Sequence, residues 1–358
     1  MIAYEAFIRR ASEIKLPFML KGSYVTRQYF PAGVDRFPAD LDWVYMDYLE
    51  HEADAEQLFT DWVTQVTELE LNDDVKFRSF KENEFWRMMD YAMADDFPTV
   101  NTDLLCWVNN EEIEFTLDIS FNLDIPEPTV SLLYQPIQGE LFTVPDTVPL
   151  SLQVSWKVHQ TLVRPRFKDL FDLIYLLKHP SFNQQTLTAC LQALINECKA
   201  DNIDLIKLNY FLTGQFERLF PINSIKGNWE LWRHKIDTKD FFRSSSWGEG
   251  AEFVTDVTKL PAKLDDFLLQ LSDSLKQAGL VIELMNCLPE PTLKIRKTYK
   301  DMGNSYLSIN PDLKPFNDSD IPPRQPISEV RPPNTNNSSI PTDKSPGLIE
   351  RIRRLFGI

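Results

Sequence analysis

Apolar and polar positions change period several times along this chain, and each change marks an element. Over residues 1–16, Tyr4, Phe7, Ile8 and Ala11 recur at helical spacing and predict an amphipathic helix. Phe18-Met19-Leu20 is a short apolar run that reads as a strand leading into Gly22. Trp43-Val44-Tyr45-Met46 reads as a second, buried strand. A helix follows over 52–69, with Leu58, Trp62, Val66 and Leu69 on one face and solvated charges on the other. Residues 112–121, EIEFTLDISF, alternate strictly. Ile113, Phe115, Leu117 and Ile119 take one side of that strand, and Glu112, Glu114, Thr116 and Asp118 the other. The Pro-rich passage 125–149 reads as an irregular connection with a strand near 130–133. From 151 to about 285 the pattern is mainly helical, with apolar stripes at 186–199, 203–220 and 261–286.

These signals predict an α+β protein. A mixed sheet with flanking helices occupies 1–150, and a helical domain spans 151–287. Residues 288–346 are rich in Pro, Asn, Ser and Asp and predict a mostly disordered linker. Residues 347–358 then predict a short basic amphipathic helix, with Leu348, Ile352 and Leu355 on one face. A lone helix this short is marginal in water, so it is expected to dock on a protein partner or an anionic membrane. The aromatic cluster of Trp229, Trp232, Phe241, Phe242 and Trp247 offers base stacking in principle, but a core or interdomain seam is the favoured reading.

Composition narrows the chemistry. The 358 residues carry 37 basic and 53 acidic side chains, a net charge of −16. That balance argues against a broad nucleic-acid surface, which needs Lys and Arg to neutralise phosphates. The four cysteines are dispersed, form no zinc-ligand spacing, and read as reduced core residues of a cytoplasmic protein. The N-terminus MIAYEAFIRRASE lacks the apolar core of a signal peptide, and no apolar run has the length of a membrane span. The four histidines lack metal-ligand spacing; His159 is expected to be structural.

Candidate chemistry concentrates between Leu20 and Trp43. Gly22 and Ser23 precede Asp40-Leu41-Asp42. On a strand Asp40 and Asp42 present two carboxylates to one side. Such a pair repels itself unless a cation intervenes, and hard oxygen ligands suit Mg²⁺ together with substrate phosphates. Gly22 allows close backbone approach to a phosphate, with the Ser23 hydroxyl beside it. The whole reads as a metal-dependent site for a nucleoside triphosphate.

A Gly-Ser turn followed by DxD on a strand resembles the DNA-polymerase-β-like nucleotidyltransferase superfamily. The version LKGS, with Arg36 four residues before Asp40, resembles the AbiEii/AbiGii toxin family of abortive-infection and toxin–antitoxin systems. Pro38 departs from that pattern, standing where the family carries Ser or Thr. The family's R-x-K-D-x-x-D helix matches Arg166, Lys168, Asp169 and Asp172, with Lys157 one helix earlier. Asp169 and Asp172 share a helix face, opposite Leu170, Leu173, Ile174 and Leu177.

The resemblance implies a polymerase-β-like nucleotidyltransferase core and sets the roles. Asp40, Asp42 and Asp118 would hold metal, with Asp118 a third acid that accepts the acceptor's proton or positions a second metal. Lys168 and Asp169 would be catalytic, Lys168 against the triphosphate. Lys21, Gly22, Ser23, Arg36 and Arg166 would bind the nucleotide. The implied cofactor is Mg²⁺. The implied partners are a nucleoside triphosphate, a tRNA or protein acceptor, and a cognate antitoxin, in a cytoplasmic phage-defence setting. A basic patch of Lys157, Arg164, Arg166 and Lys168 is suited to a tRNA end. The alternative is a catalytically weak nucleotide-binding or partner-binding module with the same fold.

Overall fold

The computed structural model describes residues 1–38, 40–50, 52–88, 98–220, 224–238 and 255–292. All but the first five residues of the linker expected at 288–346, the helix expected at 347–358, and Phe241, Phe242 and Trp247 lie outside the described residues.

The first half is built on strands β1 (Phe18–Lys21), β2 (Leu41–Tyr45), β3 (Val75–Phe77), β4 (Arg87–Met88), β5 (Thr99–Val108), β6 (Glu111–Phe121), β7 (Val130–Tyr134) and β8 (Phe142–Thr147). They form one mixed sheet in the order β3-β5-β6-β2-β1-β8-β7, with β4 paired to β5. β2 lies at the centre, antiparallel to β1 and parallel to β6. Its register sets Asp42 beside Lys21 on one neighbour and Asp118 on the other.

One face of this sheet is apolar, because alternate residues of each strand share a face. Helices α1 (Ile2–Glu13) and α3 (Glu52–Glu68) supply the partner surface. Trp62 stacks on Phe18 at 3.8 Å between ring centroids and meets Phe7 and Trp43 edge-on. Phe115, Leu117 and Ile119 of β6 join this core, as the alternation predicts. The opposite face is polar. Thr99 and Ser120 hydroxyls bond at 3.0 Å, Arg87 pairs with Asp103 at 2.8 Å, and Thr116 donates to Asp103. Asp42 and Asp118 lie on this face. Glu112 and Glu114, at the far end of β6, are exposed.

Between β1 and β2 runs a short helix α2 (Ser23–Thr26). The second half is helical: α4 (Leu150–Val163), α5 (Phe167–Leu176), α6 (Gln184–Ala200), α7 (Leu205–Leu212), α8 (Ile225–Thr238) and α9 (Leu264–Gln277). Asn183 caps α6, its side chain accepting from the amides of Gln185 and Thr186. Leu170, Leu173, Ile174 and Leu177 are buried in a second hydrophobic cluster. Trp229 and Trp232 belong to it, against Phe167 and Phe267, so these two aromatics are core. One cluster lies mainly on the sheet and the other mainly among α4 to α9, and all described residues belong to one compact unit. Cys106, Cys190 and Cys198 are buried free thiols; Cys287 is exposed, which corrects the expectation of a core position. Among the described residues, no helix is long and apolar enough to cross a membrane.

Candidate active site

Asp40 and Asp42 reach a common cavity because β2 begins between them. Asp42 lies within the strand, while Asp40 sits one residue before it, on the incoming loop. The cavity measures about 260 Å³. One wall comes from the sheet half: Lys21, Gly22, Ser23, Arg36, Asp40 and Asp42, with Thr99, Ser120 and Leu123. The facing wall comes from α4 to α6: Gln153, Trp156, Lys157, His159, Gln160, Arg164, Arg166, Lys168, Asp169 and Glu197. The two sequence motifs, more than a hundred residues apart, therefore meet across one space.

Gly22 is required by both conformation and room. Its φ is +74°, a backbone region that side chains disfavour. A Cβ there would come within 2.1 Å of the Asp42 carboxylate. The glycine thus lets the carboxylate lie directly against the turn. Ser23 follows, and its hydroxyl donates to Asp40 Oδ1 at 3.3 Å. Lys21 Nζ is 3.5 Å from Asp42 Oδ1. Gln153 of α4 ties the turn to the helical half by donating to the Gly22 carbonyl at 2.8 Å and to the Thr26 hydroxyl.

The α5 carboxylates are held differently. Asp172, wholly buried, accepts from Arg36 Nε at 2.7 Å, from the same guanidinium's Nη2 at 3.1 Å, and from Lys157 Nζ at 2.7 Å. Asp169 accepts from Arg166 Nε at 2.6 Å and lies 3.5 Å from Lys157 Nζ. Arg36 therefore lines the cavity with its guanidinium already bridged to Asp172 and the Phe37 carbonyl. Lys157 and Arg166, expected in a basic acceptor patch, are likewise engaged by aspartates. Lys168 and Arg164 line the cavity without an ion pair to any described residue.

The electrostatics separate the two aspartates of the DxD motif. Burial opposes ionisation of Asp40, but Lys168, Arg36, Arg166 and Lys21 outweigh it and hold its carboxyl below the usual range. Burial raises Asp42, Lys21 only partly offsets this, and the Asp40 charge adds to the rise. At Asp169, burial is overcome by Arg166, Lys157 and Lys168, which bring the carboxyl down to about 2. The Asp42 carboxylate is thus short of positive charge where a cation would supply it. Two close carboxylates with a hydroxyl beside them form a hard oxygen set that fits Mg²⁺.

The predicted residues Lys21, Gly22, Ser23, Arg36, Asp40, Asp42, Arg166, Lys168 and Asp169 all line the cavity. Asp118 is buried beside Asp42 in the sheet register but is not one of the lining residues. Gln153, Trp156 and Gln160 are lining residues that sequence reasoning missed. Gln153 carries one signal: a buried amide among the apolar positions of α4.

Two solved structures show the extent of likeness. JHP933 from Helicobacter pylori is 13% identical, with a TM-score of 0.38, covering 79% of this chain and 91% of that one. MenT4, a nucleotidyltransferase toxin from Mycobacterium tuberculosis, is 12% identical, with a TM-score of 0.46, covering 78% and 82%. No curated protein matches. The family model described as the nucleotidyl transferase AbiEii toxin of type IV toxin–antitoxin systems matches residues 7–241, which takes in both walls of the cavity as far as Glu197. The chain belongs to the AbiEii family of nucleotidyltransferase toxins.

Proposed function

We propose that this chain is a Mg²⁺-dependent nucleotidyltransferase that moves a nucleotide from a nucleoside triphosphate to an acceptor hydroxyl, with tRNA the favoured acceptor. The supporting observation is the facing of Asp40 and Asp42 by Lys168 across one cavity. Asp40 and Asp42 would hold the ion, which when bound neutralises charge on phosphate oxygens. Lys168 and Arg164 face the triphosphate as cations without an ion pair to a described carboxylate. Ser23 and the Gly22 backbone approach the terminal phosphates. Trp156 and Leu123 give the base an apolar wall. The acceptor oxygen attacks the α-phosphorus and the bond to pyrophosphate breaks; Asp118, beside Asp42 in the sheet but off the cavity wall, is the candidate that would take the hydroxyl proton. Arg36, Lys157, Arg166, Asp169 and Asp172 form the ion network that positions this wall. As a member of its family the protein would act beside a cognate antitoxin.

The test is transfer of label from each α-³²P nucleoside triphosphate to total RNA or lysate protein, with Mg²⁺. A tRNA-sized labelled band is expected, and Asp42→Asn should reduce it by at least roughly 10³-fold, the loss of several kcal/mol of charge stabilisation. Transfer that survives Asp42→Asn refutes the catalytic reading. Nucleotide binding without transfer by the unaltered protein supports the binding-module alternative.

A further inference from the structure

The strand register lays one line of polar side chains across five strands. Lys21 of β1 stands opposite Asp42 of β2, Asp42 beside Asp118 of β6, Asp118 opposite Asn101 of β5, and Asn101 opposite Arg87 of β4. Cross-strand partners share a face and stand about 5 Å apart at Cβ, so each side chain in the line is within reach of the next. Its order is cation, acid, acid, amide, cation. Two neighbouring acids repel each other unless donors flank them. On the Asp42 side the donor is Lys21, with Nζ 3.5 Å from Oδ1. On the Asp118 side the neighbour is an amide.

That amide is oriented from the sheet edge. Arg87 Nε donates to Asn101 Oδ1 at 2.8 Å. The oxygen end of the amide is therefore spoken for by β4, and what it offers its other register neighbour is its N–H donors. An ionised carboxylate only accepts, so Asp118 is the matching group. Arg87 is braced in turn. Its Nη2 lies 2.8 Å from Asp103 Oδ2, and the Thr116 hydroxyl donates to Asp103 Oδ1 at 3.0 Å. The Arg87 side chain is 48% exposed, whereas Asn101 is 6% exposed. A half-exposed ion pair adds little stability, but a buried amide has to be satisfied at both ends. The Arg87–Asp103 pair is better explained as a brace for the amide than as a source of stability.

We infer that Asn101, oriented by Arg87, positions Asp118 by donating a side-chain N–H to its carboxylate. A hydrogen bond to a charged acceptor is short and directional, and it fixes the carboxylate beside Asp42. Asn101 is not one of the cavity-lining residues, so it acts through Asp118 and is a positioning residue. It thereby serves the proton acceptor of the proposed transfer, a role that rests on that reading of Asp118.

Two measurements on the full chain test this. In label transfer from an α-³²P nucleoside triphosphate, Asn101→Leu should lower kcat by roughly 10–100-fold, the loss usual when the partner that orients a functional side chain is removed. KM for the nucleotide should stay unchanged. Arg87→Met, at a half-exposed position, should lower kcat in the same sense by a smaller factor. Unchanged kcat in Asn101→Leu overturns the inference and leaves the proposed reaction standing. The second measurement needs no activity. The Asn101 side-chain amide protons, assigned by ¹H–¹⁵N NMR through the Asn101 backbone, should move upfield in Asp118→Ala as their charged acceptor is lost. Unmoved signals overturn the inference whether or not label is transferred. Full transfer by Asp118→Ala with the signals moved refutes the proton-acceptor reading and upholds the Asn101–Asp118 pairing.

Discussion

Two pairs of aspartates, Asp40 with Asp42 from the sheet side and Asp169 with Asp172 on α5, are neutralised in different ways. Asp169 and Asp172 on α5 are matched by Arg36, Lys157 and Arg166 at distances of 2.6–3.5 Å. Asp40 and Asp42 have Lys21 at 3.5 Å from Asp42 and a serine hydroxyl at 3.3 Å from Asp40. The first pair is complete within the protein. In the second, surrounding cations hold Asp40 down while burial and the Asp40 charge push Asp42 up. Fully buried carboxylates thus serve stability in one place, and half-buried ones face the cavity in the other.

Removing one partner of the complete pair should have the largest effect on stability. Asp172→Ala leaves Arg36 and Lys157 buried without their carboxylate and should cost about 3–5 kcal/mol in urea unfolding. Asp42→Asn removes a buried charge that burial disfavours, so it should leave stability unchanged or raised. A loss in Asp42→Asn as great as in Asp172→Ala would erase the distinction.

Acid should separate the two pairs by sign. Asp169 titrates at about 2 in the fold against 3.8 unperturbed. Its stabilisation, roughly 2 kcal/mol, is therefore whole above about pH 4 and is lost as pH falls toward 2. Asp42, raised in the fold, contributes oppositely: its burial costs stability above its unfolded pKa, and acid relieves that cost. Unfolding of Asp169→Asn and wild type, compared at pH 7 and pH 2.5, should show the gap closing.

The smallest effect belongs to Lys168, which faces the cavity without an ion pair to a described residue. Lys168→Ala should raise KM for the nucleotide by roughly tenfold, about 1.4 kcal/mol, with stability nearly unchanged. Steady-state kinetics beside a melting curve would check both halves of that statement.

Local pattern revealed much of this molecule. The alternation of β6 placed Asp118 on the polar face, and the stripe of α5 placed Asp169 opposite its core residues. The glycine turn and DxD spacing located the first wall of the cavity. The partners were not legible, because an ion pair such as Arg36–Asp172 joins residues 136 apart and leaves no local periodicity. Arg36 read as a nucleotide ligand from the family resemblance; it lines the cavity, but its pairing with Asp172 could not be read beside that. Gln153 was missed likewise: its bond to the Gly22 carbonyl spans 131 residues. The pairing of His159 with Asp201 likewise joins α4 to the end of α6, 42 residues on.

The long separation of Arg36 from Asp172 also sets a clock. A ribosome adding 5–20 residues per second needs roughly 7–27 s to cover that interval. Throughout it the emerging chain holds its DxD carboxylates but neither Lys168 nor the α5 anchor for Arg36. On the proposed chemistry the facing wall of the cavity is still missing from such a nascent fragment, and the interval would give any neutralising partner a head start on the finished chain.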